Sequence, residues 1–211
     1  MGQKSIHSRQ WLLADMPVGA MCLAVWHRRF SLKAVKAMTA IQVAQRSEEL
    51  FQQGFCCAES VLLAMAESQG IKSELIPKIA TGLCGGIART GGVCGALSGG
   101  ILGINLVAGR ESPDQSSDHN VCLVRDFLRK FEAKFETTNC ERLIGCRLDT
   151  PEGQRFFKEN ELREKKCRIF TRDAAGIASG ILEQAAQARL RGSRDDTGGG
   201  EKPGVTGRSQ A

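Results

Sequence analysis

The chain has 211 residues, of which 42% are hydrophobic, 25% are charged and 5% are aromatic, with no tyrosine. This is the composition of a soluble globular protein, and the length is enough for one well-buried domain. The formal net charge of +6 comes from the two ends, because residues 39–185 contain 18 basic and 19 acidic side chains. Nucleic-acid-binding proteins concentrate basic residues on a folded face, so nucleic acid is not a predicted partner.

The two ends differ in composition from the middle of the chain. Residues 1–38 are basic and contain both tryptophans, and we interpret them as a leader that is either disordered or an extension upstream of a start at Met38. Residues 189–211 are rich in glycine and charge, which predicts a disordered tail. The folded domain is therefore predicted to span residues 39–188.

The predicted domain shows helical periodicity and no convincing alternation over the length of a strand. Gly70 is predicted to stop the first helical region, and Thr150-Pro151 to open a later helix, since threonine caps helices and proline suits their first turn. The predicted helical regions are 41–69, 73–83, 91–108, 114–137, one from Pro151 onward, and 171–189. The predicted fold class is all-α, a small helical bundle around a glycine-rich central helix.

The predicted central helix comes from an uncharged run of twenty residues, 90–109, which Thr90 is expected to cap. The run is long enough to cross a membrane, but seven of its residues are glycine, which favours a buried helix in a bundle. Gly95, Gly99 and Gly103 stand four residues apart, and small residues at that spacing let another backbone approach closely. We therefore predict a soluble, cytoplasmic protein with no membrane partner.

Nine cysteines are the most unusual feature of the composition, and eight of them lie in the predicted domain. The sequence contains no C-x-x-C, which argues against a thioredoxin-type dithiol, a ferredoxin-type cluster run and the usual zinc knuckles. It also lacks C-x-x-C-H, so covalent haem is excluded. Because the chain is large enough to fold without disulfides, a reducing compartment would leave these thiols for another use.

The cysteines near helix starts have predictable directions. Vicinal Cys56 and Cys57 cannot face the same partner from one helix, since successive residues differ by about 100°. Cys57 shares the inward stripe of its helical region, whereas Cys56 points elsewhere and is left unassigned. Cys94 falls in the first turn of the central helix beside Arg89, where the positive helix end is expected to stabilise a thiolate.

Cys140 and Cys146 are six residues apart and converge only if a helix ends between them. Gly145 is placed to end it, because glycine readily takes the left-handed conformation at a helix C-terminus. One inward thiol, one thiol at a helix start and two flanking a helix end predict four thiolates at one point. Four is the number that an iron–sulfur cluster or a tetrahedral metal requires.

The remaining polar and sulfur side chains of interest have simpler interpretations. Cys22 and Cys122 are interpreted as small hydrophobic packing residues, and packing is also the favoured role for Cys84. Glu59 is interpreted as an ordinary solvated helix residue near the predicted site.

Three motifs are distinctive: Phe55-Cys56-Cys57-Ala58-Glu59, Cys94-Gly95-Ala96-Leu97-Ser98-Gly99, and CERLIGC with Cys140 and Cys146. Through these motifs, residues 51–185 resemble the C_GCAxxG_C_C family of redox-active proteins. The resemblance implies an all-cysteine site at Cys57, Cys94, Cys140 and Cys146, with Cys167 as a frequent fifth cysteine. The family is similar to the non-haem part of split-Soret cytochrome, which implies an iron–sulfur cluster; the haem part does not transfer.

The predicted function is that of a redox-active protein whose four clustered cysteines hold an iron–sulfur cluster for electron transfer to an unidentified partner. Two alternatives stay open. One is a cofactor-free thiol protein with a reversible Cys140–Cys146 or Cys57–Cys94 disulfide, and the other is a non-enzymatic domain with a structural zinc. No pattern assigns a catalytic residue or an enzyme activity, and a homo-oligomer is left open.

Overall fold

The computed structural model describes residues 38–195, and the regular elements within this range are helical. The predicted all-α class is confirmed. The α-helices are α1 (Ala40–Gln52), α2 (Cys57–Ser68), α3 (Gly95–Ala108), α4 (Asp118–Phe135), α5 (Cys140–Ile144), α6 (Pro151–Glu159) and α7 (Arg168–Asp195). A 3-10 helix covers Lys78–Leu83, and a π-helical turn, Arg163–Cys167, leads directly into α7.

Capping residues fix the starts of several helices. The hydroxyl of Thr39 accepts a hydrogen bond from the amide of Gln42, whose side chain bonds back to Thr39, a capping box at the start of α1. Thr150 accepts from the amide of Gly153, with Pro151 in the first turn of α6, as the sequence predicts.

The core lies where α3 and α7 meet the other helices. α3 packs against α2, α4 and α7, and α7 also packs against α1 and α2. Phe127 and Phe131 on α4 are fully buried. A row of ring contacts continues through Phe135 to Phe170, whose ring centroids are 5.0 Å apart, and ties α4 to α7. Such aromatic pairs add to the free energy of hydrophobic burial.

The glycines of α3 allow the close helix packing that their spacing predicts. A Cβ atom added at Gly99 would lie 2.5 Å from the carbonyl oxygen of Ala58 on α2. One added at Gly103 would lie 2.2 Å from the sulfur of Met65, also on α2. The uncharged run is thus the buried centre of the bundle, and among the described residues no helix has the length and apolar character needed to cross a membrane.

Some predicted helix bounds are wrong. The region 41–69 is two helices, because Gly54 adopts a left-handed φ of 106° between them. Only a short 3-10 helix forms within 73–83. α3 begins later than predicted, with Cys94 as its N-cap residue but with no side-chain cap. The hydroxyl of Thr90 bonds instead to the carbonyl groups of Gly86 and Ile87.

The last helix differs from its prediction at both ends. α7 starts at Arg168 and continues to Asp195, so residues 189–195, predicted as the beginning of the disordered tail, are helical. The rest of that tail and the predicted leader up to residue 37 lie outside the described residues.

Candidate cysteine site

One partly open cavity of about 280 Å³ gathers most of the cysteines of the described domain. Its walls are otherwise largely apolar, with the side chains of Phe51, Phe157 and Phe170 among them. The described cysteines outside the wall are Cys122 and Cys146. The six cysteines that line it are Cys56, Cys57, Cys84, Cys94, Cys140 and Cys167, and all six are free thiols.

Backbone pairing brings Cys94 and Cys140 together. The segments before α3 and α5 form an antiparallel bridge. The amide of Cys94 donates to the carbonyl of Thr138 at 2.8 Å, and the amide of Cys140 donates to the carbonyl of Gly92 at 2.7 Å. A Cβ at Gly86 would lie 2.6 Å from that of Cys140, so a glycine is needed beneath this cysteine. Two cysteines distant in sequence thus start neighbouring helices at one cavity.

Cys56 and Cys57 both line the cavity, contrary to the prediction that Cys56 points elsewhere. The prediction assumed that both residues are helical. Cys56 is instead the extended N-cap residue of α2, with ψ of 165°, and the helix begins at Cys57. The Cys57 thiol lies against α3, where a Cβ at Gly95 would stand 2.5 Å from its sulfur. The first glycine of the CGAxxG motif therefore makes room for a cysteine of the site.

Glu59 connects two of the cysteine segments. It is only 9% exposed, so its interpretation as a solvated residue is wrong. One carboxylate oxygen accepts from the amide of Cys56 at 2.8 Å, and the other accepts from the hydroxyl of Thr81 at 2.7 Å. Because Thr81 lies in the 3-10 helix that ends just before Cys84, this carboxylate holds Cys84 beside the start of α2.

The π-helical turn supplies Cys167 and a cation. Such turns are rare and are often found at functional sites. Arg163 donates hydrogen bonds to the carbonyl groups of Phe51 at 2.7 Å and Phe55 at 3.2 Å. Its guanidinium also lies 3.9 Å from the centre of the Phe51 ring. A positive charge is thereby fixed on the wall of the cavity.

Arg89 reaches the cavity from a strained loop. Three consecutive residues without glycine's freedom, Ile87, Ala88 and Arg89, have φ values of 60°, 51° and 66° and follow two left-handed glycines, Gly85 and Gly86. A left-handed conformation costs such residues about 1–2 kcal/mol each. Gly85 and the exposed Arg89 both line the cavity, so the strain is located at the site.

Cys146 lies at the edge of this arrangement. Gly145 ends α5 with a φ of 83°, as predicted, and Cys146 follows it half-buried. Burial raises the pKa of the Cys146 thiol, and the nearby charge of Lys166 opposes that rise. A negative charge on Cys146 would raise the pKa of Cys140, so the two thiols are electrostatically coupled although only Cys140 lines the cavity.

Burial favours the protonated form of two cavity thiols, Cys94 and Cys140. Burial raises the pKa of Cys94 to about 12 and that of Cys140 to about 11. At Cys94 the amides of Ala96 and Leu97 act in the opposite direction, but desolvation outweighs them. The prediction that the helix start stabilises a Cys94 thiolate is therefore wrong for the metal-free site. Holding several of these sulfurs as thiolates requires positive charge within the cavity.

Comparison with known proteins gives one match. Residues 55–181 match the family described as "Putative redox-active protein (C_GCAxxG_C_C)". The chain belongs to this family. No curated protein and no solved structure matches it. Both the family membership and the cysteine-lined cavity indicate a redox-active domain.

The structure brings together three of the four predicted site cysteines, Cys57, Cys94 and Cys140, and adds the fifth family cysteine, Cys167. Sequence reasoning did not assign Cys56 and gave Cys84 a packing role. Within residues 38–195 no three His, Cys, Asp or Glu side chains are arranged to hold a single metal ion. The ligand set of any metal group is therefore a proposal.

Proposed function

We propose that this redox-active protein holds an iron–sulfur cluster in the cavity and uses it to transfer electrons. The proposed ligands are Cys57, Cys94 and Cys140, with Cys167 as the fourth because it lines the cavity. Cys146, which the family pattern implies, is the competing fourth ligand.

The observation that carries the proposal is the number of thiols sharing one cavity. Six cysteines from five separate segments line it, and iron–sulfur clusters are held by cysteine thiolates. The cavity of about 280 Å³ is also much larger than the roughly 10–15 Å³ that a single water molecule needs. Both the donor chemistry and the space fit a group larger than one ion.

The surroundings of the thiols suit a negatively charged group. α2 begins at Cys57 and α3 at Gly95, just after Cys94, so the N-termini of two full-length helices meet the cavity. Arg163 adds a cation, and the aromatic side chains of the wall limit the access of water. When bound, the cluster would supply one-electron transfer.

A single zinc ion matches the arrangement less well. Zinc lies about 2.3 Å from each sulfur and so draws its ligands around one point. No three candidate ligands within the described range have that arrangement. An iron–sulfur cluster takes four cysteine thiolates, which agrees with the six thiols that line one cavity wall.

Chemical analysis of anaerobically purified, full-length protein tests the proposal. Iron, acid-labile sulfide and zinc are measured per chain, and the visible spectrum is recorded before and after dithionite. The sequence has two tryptophans, Trp11 and Trp26, and no tyrosine, so protein absorption interferes little. We expect a brown protein with iron and sulfide that dithionite bleaches. A colourless, iron-free protein with titratable thiols, or one with stoichiometric zinc, would contradict the proposal.

We also propose a cytoplasmic location and an electron-transfer partner. Seven of the eight cysteines in the described residues are free thiols, and Cys122 is disulfide-bonded. The predominance of free thiols is what a reducing compartment maintains. Fractionation of cells that express the full chain tests the location, and recovery in an oxidising compartment would contradict it.

A further inference from the structure

Two cysteines of the cavity wall are not proposed cluster ligands, and they lie next to each other. Cys56 and Cys84 line the same cavity, and each thiol is near enough to the other to shift its pKa. The Cys84 thiol donates to the carbonyl of Ala80 at 3.9 Å, and Cys57 is near enough to raise its pKa. A Cβ at Gly95 would lie 2.5 Å from the sulfur of Cys57 and 3.2 Å from the Cα of Cys84, which places these segments against one another.

The approach of Cys56 to Cys84 is held by the fold. Glu59 accepts hydrogen bonds from the amide of Cys56 and the hydroxyl of Thr81, so one buried carboxylate connects the N-cap of α2 to the 3-10 helix. Cys84 is the residue that ends this 3-10 helix. Both cysteines are half-buried on the wall of a partly open cavity, so a small molecule entering the cavity would meet their sulfurs.

We propose that Cys56 and Cys84 form a second redox site, a dithiol that exchanges with small-molecule disulfides to give a reversible Cys56–Cys84 disulfide. The inference does not depend on a bound metal, because neither cysteine is a proposed cluster ligand. It differs from the disulfides expected from the sequence, Cys140–Cys146 and Cys57–Cys94.

The disulfide substrate accepts the two electrons that the cysteines lose in the exchange. Neighbouring thiols and burial raise the pKa of both cysteines, so the exchange is expected to become faster as pH rises. The thiolate of one cysteine attacks a sulfur of the substrate, a mixed disulfide forms, and one substrate thiol leaves with a proton. The second cysteine then attacks the mixed disulfide at the sulfur of the first and releases the other substrate thiol with a second proton. The two cysteines lose two electrons in total, and the substrate gains them as its sulfur–sulfur bond is reduced.

Peptide mapping of the full-length protein tests this pairing. The protein is equilibrated anaerobically with mixtures of reduced and oxidised glutathione, free thiols are alkylated, and tryptic peptides are identified by mass spectrometry. Cleavage after lysine and arginine places Cys56 and Cys57 in the peptide 47–72 and Cys84 in the peptide 79–89. We expect these two peptides to become disulfide-linked as the oxidised fraction rises, with loss of two alkylatable thiols, and to separate again in excess reduced glutathione.

Matched serine variants identify the partner of Cys84. Cys56→Ser should abolish the link and Cys57→Ser should keep it, with circular dichroism confirming that both variants are folded. Loss of the link in Cys57→Ser but not in Cys56→Ser would overturn the pairing, as would the absence of the link in the wild-type protein at every glutathione ratio. Iron is measured on the same samples, so that a failure of this proposal can be distinguished from a failure of the cluster proposal. The Cys56–Cys84 link is expected whether or not iron is present.

Discussion

Replacing Gly99 by alanine tests whether the glycine row of α3 sets the position of the cysteine-bearing end of α2. A Cβ at this position would lie 2.5 Å from the carbonyl oxygen, 3.0 Å from the Cα and 3.1 Å from the carbonyl carbon of Ala58. All three atoms belong to the backbone, so no side-chain rotation relieves the overlap. α2 would have to move away from α3, and Cys57, the neighbour of Ala58, would move with it.

The magnitude follows from two opposing effects. Alanine is favoured over glycine inside a helix by roughly 0.5–1 kcal/mol. Overpacking a filled interior costs about 1–3 kcal/mol. We therefore expect Gly99→Ala to lower the free energy of unfolding by about 1–2 kcal/mol, a decrease in Tm of roughly 2–8 °C for a chain of this size.

Gly180→Ala is the matched control, because it makes the same substitution inside a helix without the overlap. A Cβ at Gly180 would be 3.8 Å from the Cβ of Ala40, an ordinary contact. This variant should gain roughly 0.5–1 kcal/mol. Thermal and urea unfolding followed by circular dichroism measure both variants. If Gly99→Ala is stabilised as much as Gly180→Ala, the helices do not approach as closely as described, and the reasoning is refuted.

Three other predictions concern the cavity. Cys57→Ser, Cys94→Ser and Cys167→Ser should each abolish iron binding while Cys146→Ser retains it; equal iron content in all four would defeat the ligand assignment. Arg163→Met removes two hydrogen bonds to carbonyl groups and a contact with an aromatic ring, so urea unfolding should show a loss of about 1–3 kcal/mol, and wild-type stability would argue against this role. Burial raises the pKa of Cys94 from 9.0 to about 12, so the unfolded chain loses this proton first as pH rises. The metal-free protein should therefore lose stability from about pH 9 upward, by at most about 1.4 kcal/mol per pH unit for this thiol. Cys94→Ser should flatten that slope, and an unchanged slope would contradict the prediction.

Local patterns in the sequence predict much of the bundle. Gly95, Gly99 and Gly103 repeat every four residues, and this spacing alone indicates a helix that others approach closely. Threonine before proline predicts the start of α6 at Thr150, and glycine predicts the end of α5 at Gly145. Both boundaries are confirmed. Each of these features depends on residues close to one another in the chain.

The parts of the site that the sequence does not predict depend on tertiary contacts. Cys56 looks helical by periodicity, but it is an N-cap held by Glu59, and that carboxylate is buried only because the 3-10 helix packs beside it. Cys84 becomes a site residue because the Glu59–Thr81 hydrogen bond holds the end of the 3-10 helix beside the start of α2. The π-helical turn that presents Cys167 and Arg163 has no sequence signal that we recognise.

The most direct test of the central claim is the location of iron in a crystal of the anaerobically purified protein, determined from anomalous scattering at the iron edge. We predict iron within bonding distance of the sulfurs of Cys57, Cys94, Cys140 and Cys167, inside the cavity near Arg163. Iron bound elsewhere, or a cavity without iron in a protein that retains all its thiols, would contradict the account.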